Sequence, residues 1–176
     1  MLVDSYNKQY LKTFQASDFR SIISDSVSLV GKSNKIFFIG NGGSNSISSH
    51  MMEDYGKMGR KKTYAFSDPA LITCYANDYG YENSIMEWLK LHIEEGDLLV
   101  AISSSGSSKN ILNAVKIAKT KKAKILSCSG FEENNPLRKE GDVNFYIDST
   151  SYGIVECFHQ IFLHIVLDEF CLKIES

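Results

Sequence analysis

Two short apolar runs, each ending abruptly in a loop of small residues and each followed at once by a helical pattern, limit what this chain can fold into. The first, Lys35-Ile36-Phe37-Phe38-Ile39, runs into Gly40-Asn41-Gly42-Gly43-Ser44, after which Ile47, Met51, Met52, Tyr55 and Met58 suggest a helix. The second, Leu98-Leu99-Val100-Ala101-Ile102, ends in Ser103-Ser104-Ser105-Gly106-Ser107-Ser108 and is followed by Ile111, Leu112, Val115 and Ala118 at helical spacing. Both units read as strand, loop, helix. Glycines let the first loop approach a ligand closely, and the next helix points its positive N-terminus back at the loop. The serine loop adds hydroxyl donors to free backbone N–H groups, a setting that suits a dianionic phosphate. Serine is also an ordinary N-cap and turn former, which accounts for one or two such residues more readily than for five in six positions. The glycine loop lacks the third glycine of a dinucleotide fingerprint and the Gly-Lys-Ser/Thr of a nucleotide P-loop.

Strands that alternate with helices need crossover connections, so the sheet is expected to be parallel and covered on both faces. Further strands are expected at Tyr64-Ala65-Phe66, at Lys124 to Cys128 and at Val143 to Ile147. Asp68-Pro69 is an N-cap followed by proline at the first helical position, opening a helix that ends near Ala76. Asn77-Asp78-Tyr79-Gly80-Tyr81 reads as a turn-rich junction before a helix from about Glu82 to His92. Apolar residues from Tyr10 to Val30 form an N-terminal helical arm, with Ser17-Asp18 as a cap between two helices, and a long apolar-periodic helix from Ser151 to Lys173 closes the chain. Ligands in such open sheets bind beyond the carboxyl ends of the strands, so both special loops belong to one rim and one shared site.

The 176 residues suit one domain, 1–176, with a helical arm at 1–33. Nineteen Lys+Arg against 21 Asp+Glu leave a net charge of -2, without the basic footprint of nucleic-acid or anionic-membrane binding. Neither a long apolar span nor a signal-peptide pattern is present, which points to the cytoplasm. Cys74, Cys128, Cys157 and Cys171 are scattered without a Cys-x-x-Cys pair and are expected to be buried reduced thiols.

The pairing of Phe38-Ile39-Gly40-Asn41-Gly42-Gly43-Ser44 with Ile102-Ser103-Ser104-Ser105-Gly106-Ser107-Ser108 resembles the sugar isomerase (SIS) domain family, and within it the members that isomerise phosphorylated seven-carbon sugars. The likeness runs from about Lys35 to the last helix, through Ala76-Asn77-Asp78-Tyr79-Gly80 and Glu95-Gly96-Asp97. It implies a three-layer α/β sandwich around a five-stranded parallel sheet of flavodoxin-type order, and a homotetramer with active sites between subunits. It also implies one zinc ion per site and aldose–ketose isomerisation of sedoheptulose 7-phosphate, supplying heptose for lipopolysaccharide or capsule. By position, Asn41, Gly42, Gly43, Ser44, Asn77 and Asp78 match substrate contacts, and Ser103, Ser104, Ser105 and Ser108 match the phosphate cradle. His50 matches a metal-binding histidine, and His164 a second histidine that is metal ligand and candidate base. Three departures stand out: Asp54, preceded by Glu53, in place of a glutamate that is metal ligand and acid/base; Glu156 in place of a glutamine; and Gly153 in place of an aspartate. The first withdraws a carboxylate by one methylene, and the second adds a negative charge.

His50 and Asp54 are four residues apart on one helix, facing the same way, and could share one cation. Glu156 and His164 are eight apart, roughly 80° out of phase at 3.6 residues per turn, so spacing alone argues weakly for a common site. With the resemblance, His50, Asp54, Glu156 and His164 form the expected metal set, with His164 as base and Asp54 or Glu156 as acid. His159 is expected to be structural, and His92 has no evident role. The same scaffold could instead isomerise another phosphosugar, or bind one without turnover.

Overall fold

The apolar runs at the centre of the sheet become strands whose side chains alternate between two helical layers. The structure is a computed structural model and describes residues 2–175. Helices α1 (Leu2–Phe14) and α2 (Phe19–Lys32) precede β1 (Lys35–Ile39), α3 (Gly43–Lys57), β2 (Lys62–Ala65), α4 (Pro69–Tyr79) and α5 (Tyr81–His92). β3 (Leu98–Ser103), α6 (Lys109–Thr120), β4 (Lys124–Gly130), a 3-10 turn (Leu137–Lys139), β5 (Val143–Ile147) and α7 (Tyr152–Glu175) complete the chain. The strands form one parallel sheet in the order β2-β1-β3-β4-β5. That is the expected three-layer α/β architecture with flavodoxin-type order.

Ile36, Phe38, Leu98, Val100, Ile102, Leu126 and Cys128 face the layer of α2, α3 and α7. Their neighbours Phe37, Ile39, Leu99, Ala101 and Ile125 face α5 and α6. At the opposite rim from the special loops, buried Asp97 accepts hydrogen bonds from the backbone N–H groups of Lys35 (3.1 Å) and Glu94 (2.8 Å), tying the entry of β1 to the approach to β3.

Several boundaries differ from expectation for local reasons. β2 is an edge strand that begins at Lys62 and stops at Ala65, because Phe66 turns into the core beside Trp88, their rings 5.4 Å apart. α4 runs on to Tyr79, making Asn77 and Asp78 helical, and stops at Gly80, whose φ of 76° few other residues adopt. Its start is as expected: the Asp68 side chain accepts from Leu71 N at 2.9 Å. Asp18 stands at the N-cap of α2 without a side-chain cap bond. The expectation of four buried thiols is corrected: Cys74 and Cys157 are exposed, Cys171 is half-buried and Cys128 is enclosed.

His159 is fully buried on α7, where its Nε2–H donates to the Ser129 carbonyl at 3.1 Å and its ring meets Phe145 edge-on. Burial pushes its pKa down to about 4, only partly opposed by that hydrogen bond. The unfolded chain takes up this proton near pH 6.5 and the folded chain only near 4, so the stability tied to the neutral imidazole is complete above pH 6.5 and is lost as pH falls between those values. We expect acidification through this window to cost roughly 3 kcal/mol from this one group. Urea titrations of the wild type and His159→Gln should show the variant with the shallower pH dependence; equal slopes would contradict it.

Candidate active site

Strand order decides where a ligand can sit. In an open parallel sheet the crevice opens beyond the carboxyl ends of strands whose connections leave to opposite faces. Here β1 leads to α3 on one face and β3, its neighbour, leads to α6 on the other. The two loops flank that crevice. They line a single cleft of about 280 Å³ with Asn41, Gly42, Gly43 and Ser44 on one side, Ile102, Ser103, Ser104, Ser105 and Ser108 on the other, and Tyr152 and Glu156 from the start of α7.

The serine loop is a tight turn: Gly106 N donates to Ser103 O at 3.0 Å, and Gly106 has φ 62°. Ser108 occupies the N-cap position of α6, yet its hydroxyl makes no cap bond and lies 3.4 Å from the Ser103 hydroxyl. Ordinary N-capping therefore does not account for this serine. Ser104 Oγ is 5 % exposed as a residue and has no hydrogen-bond partner in the protein, a costly arrangement unless a ligand satisfies it. Among the residues lining the cleft there is no lysine or arginine. An anion held there would be held by hydroxyls, backbone N–H groups and the starts of α3 and α6. Glu156 reaches across from α7 until its carboxylate abuts Gly43, the first residue of α3, where a Cβ would collide with it.

Two residues that pattern reading passed over hold the loops together. Asn110, on the first turn of α6 and 3 % exposed, forms a reciprocal amide pair with Asn41: Asn41 Nδ2 donates to Asn110 Oδ1 (2.9 Å) and Asn110 Nδ2 donates to Asn41 Oδ1 (2.8 Å). The Tyr81 hydroxyl adds a donation to Asn41 Oδ1 at 2.8 Å. Asn41, expected to contact substrate, thus spends most of its amide on bracing the glycine loop against α6. The only sequence signal for Asn110 was its place directly after the serine loop.

A second constellation lies further along the same two helices. His50 Nε2 is 3.3 Å from Asp54 Oδ2, His164 Nδ1 is 3.9 Å from the same oxygen, and the imidazole centroids are 5.3 Å apart. Ligand atoms of the three lie within 4.8 Å of one another. Two imidazoles and a carboxylate fit zinc, whose ligands in a tetrahedral shell at roughly 2.1 Å stand about 3.4 Å apart, with a position left open. Tyr55, buried, explains the register: its hydroxyl donates to the Leu163 carbonyl at 2.8 Å, which sets Asp54 beside His164. Burial raises the Tyr55 pKa well above the usual phenol value, so it remains a donor.

Of the expected metal set, the structure brings His50, Asp54 and His164 together and places Glu156 in the cleft instead. Seven residues separate Gly43 from His50 and eight separate Glu156 from His164, so cleft and cluster are roughly 10–12 Å apart along the helices. Asn77 and Asp78 lie outside the cleft of their own chain, exposed on α4 and hydrogen-bonded to each other at 2.8 Å.

A doubly wound parallel sheet carrying a hydroxyl-lined cleft at its switch point defines an α/β domain of the kind that takes small ligands beyond its strand ends. The chain belongs to the SIS domain family, which it matches over residues 5–130. It is 30% identical to the phosphoheptose isomerase of Fusobacterium nucleatum over 95% of this chain and 92% of that protein. Identity is also 30% to the phosphoheptose isomerase of Glaesserella parasuis, over 95% of this chain and 88% of the relative. The fold superimposes on phosphoheptose isomerase from Neisseria gonorrhoeae with a TM-score of 0.87 at 21% identity, covering 96% of this chain and 94% of that one.

Removing Asn110 leaves the half-buried Asn41 amide without its reciprocal partner. Asn110→Ala should cost about 1–3 kcal/mol in urea unfolding. It should also weaken the binding of inorganic phosphate by calorimetry, because it frees the two loops from each other; an unchanged affinity would contradict the clamp.

Proposed function

We propose that the protein is a phosphoheptose isomerase, converting sedoheptulose 7-phosphate to a glycero-manno-heptose 7-phosphate for bacterial surface polysaccharide, lipopolysaccharide or capsule. The observation that carries this reading is the convergence of the glycine and serine loops on one cation-free cleft beside α7, on the helices that also bear His50, Asp54 and His164. Full-length similarity to phosphoheptose isomerases supports the substrate.

In this reading the phosphate sits against Ser103, Ser104, Ser105 and Ser108, and Gly42, Gly43 and Ser44 accept the sugar chain. Gripping the phosphate far from the reacting carbons supplies binding energy that holds those carbons in place. Interconversion requires a proton to leave the carbon beside the carbonyl and return to its neighbour, while a second proton moves between the oxygens. His164 takes the carbon-bound proton, imidazole being a side chain that can both accept and return a proton. Asp54 or Glu156 serves the oxygens. Zinc, held by His50, Asp54 and His164, would when bound polarise the carbonyl and stabilise enediolate charge. A neutral imidazole has one lone pair, so His164 acts as ligand or as base in a given state, not both.

Each chain, read as one SIS domain over 1–176, works as a homotetramer in the cytoplasm, with its arm at 1–33 between subunits and active sites shared. Three features favour sharing. Cleft and cluster are separated within one chain, so Glu156 reaches a metal only across a subunit boundary. α4, with Asn77 and Asp78, has no fully buried residue. α1 exposes Leu2, Val3, Tyr10 and Leu11. Among the described residues no helix is long and apolar enough to cross a membrane.

The decisive assay offers seven-, six- and five-carbon sugar phosphates with and without added zinc. We expect turnover of sedoheptulose 7-phosphate, stimulated by zinc, and a loss of about 10²–10⁴ in kcat for His164→Ala. Turnover confined to a shorter sugar would replace the substrate assignment, and tight binding without turnover would identify a sensor instead.

A further inference from the structure

The serine loop is shaped from behind by a side chain that does not line the cleft. Asn135 lies between β4 and the 3-10 turn, 3 % exposed, at the end of the polar run Glu132-Glu133-Asn134-Asn135. Its amide is fully committed. Nδ2 has three acceptors for its two hydrogens, Glu132 O (2.8 Å), Gly130 O (3.2 Å) and Ser129 Oγ (3.2 Å), while Oδ1 accepts from Arg138 N (3.0 Å). Held in this way, Oδ1 lies directly against Gly106, where a Cβ would collide with it. Two backbone bonds close the same seam: Leu137 N donates to Gly106 O and Gly130 N donates to Ser104 O, both at 2.9 Å.

We propose that Asn135 is a positioning residue for the phosphate end of the substrate. It holds Gly106 in its left-handed turn and so fixes where the hydroxyls of Ser103, Ser104, Ser105 and Ser108 point. This rests on reading the cleft as a phosphosugar site.

The packing supplies the reason. A loop of serines and one glycine has little side-chain bulk of its own to hold its shape, and Gly106 at φ 62° is the point where the backbone has most freedom to escape. The planar Asn135 amide lies where a Cβ on residue 106 would stand, and its hydrogen bonds fix its orientation there. The support continues to the other wall of the cleft. Ser129, whose hydroxyl accepts from Asn135, uses its carbonyl to accept from His159, three residues beyond Glu156 on α7. The back of the serine loop and the helix carrying Glu156 are therefore joined through Asn135, Ser129 and His159, all buried.

Asn135→Ala removes the brace without adding charge near the phosphate. The test measures sedoheptulose 7-phosphate kinetics and binding, together with zinc affinity by calorimetry, which reads the His50, Asp54 and His164 cluster and should not respond to this change. We expect KM and the dissociation constant for the sugar phosphate to rise about tenfold, the scale of one lost structural hydrogen bond. kcat at saturation should stay within about threefold and zinc affinity should be unchanged. Gly106→Ala attacks the same contact from the loop side, so the double variant should lose less than the sum of the two single losses.

Unchanged KM in a folded Asn135→Ala protein would overturn the proposal. So would additive losses in the double variant, or a joint fall of kcat and zinc affinity, the mark of general loosening. Should Asn135→Ala not fold, Asn135→Ser is read by the same criteria. The two levels of the account fail separately: a wild-type protein that binds no sugar phosphate sinks the phosphosugar reading, whereas wild-type binding with an indifferent Asn135 variant sinks only the brace.

Discussion

Parallel pairing of β1 with β3 is the constraint on which the site depends. Because β2 lies on the far side of β1, the chain leaves β1 toward one face and β3 toward the other, and two loops distant in sequence emerge side by side. The reciprocal amides of Asn41 and Asn110 tie them together across the crevice, and the Asn135 amide presses on the serine loop from the rear. A site made of small side chains and glycines is thus given shape by buried asparagines, whose planar, two-sided amides can satisfy backbone and side chain at once.

A second register, between α3 and α7, governs the other half of the chemistry. One hydrogen bond from Tyr55 to the Leu163 carbonyl, deep in the core, places Asp54 opposite His164 and brings both imidazoles to the same oxygen. The two halves differ in electrostatic character. The cleft holds no cationic side chain and offers neutral donors and helix starts to an anion, whereas the cluster gathers nitrogen and carboxylate donors for a cation. Cleft and cluster share α3 and α7 but stand at different heights along them.

Much of the architecture was legible from pattern. β1, β3, β4 and β5 stand close to where their apolar runs placed them; β1 and β3 are the clearest, because a strand buried on both faces leaves an unbroken hydrophobic signature. β2 was misplaced by two residues since its sequence, Lys-Thr-Tyr-Ala, is that of a half-exposed edge, and Phe66 belongs to the core beyond the strand. α4 was cut short because Asn77, Asp78 and Gly80 read as a turn, although only Gly80 ends the helix. In the site, the glycine and serine loops were visible as local clusters, and His50 with Asp54 as an i, i+4 pair. Tyr55, Asn110 and Asn135 were not, because each matters through one contact with a distant part of the chain, and an asparagine in a polar loop looks the same whether it braces a turn or faces water.

The central claim, that glycine and serine loops form one anion-binding cleft, is tested most directly by titrating the isotopically labelled wild-type protein with sedoheptulose 7-phosphate and following backbone amide resonances. Residues 42–44 and 103–108 should shift together along a single saturation curve. Shifts confined to one loop, or two loops saturating at different concentrations, would contradict it.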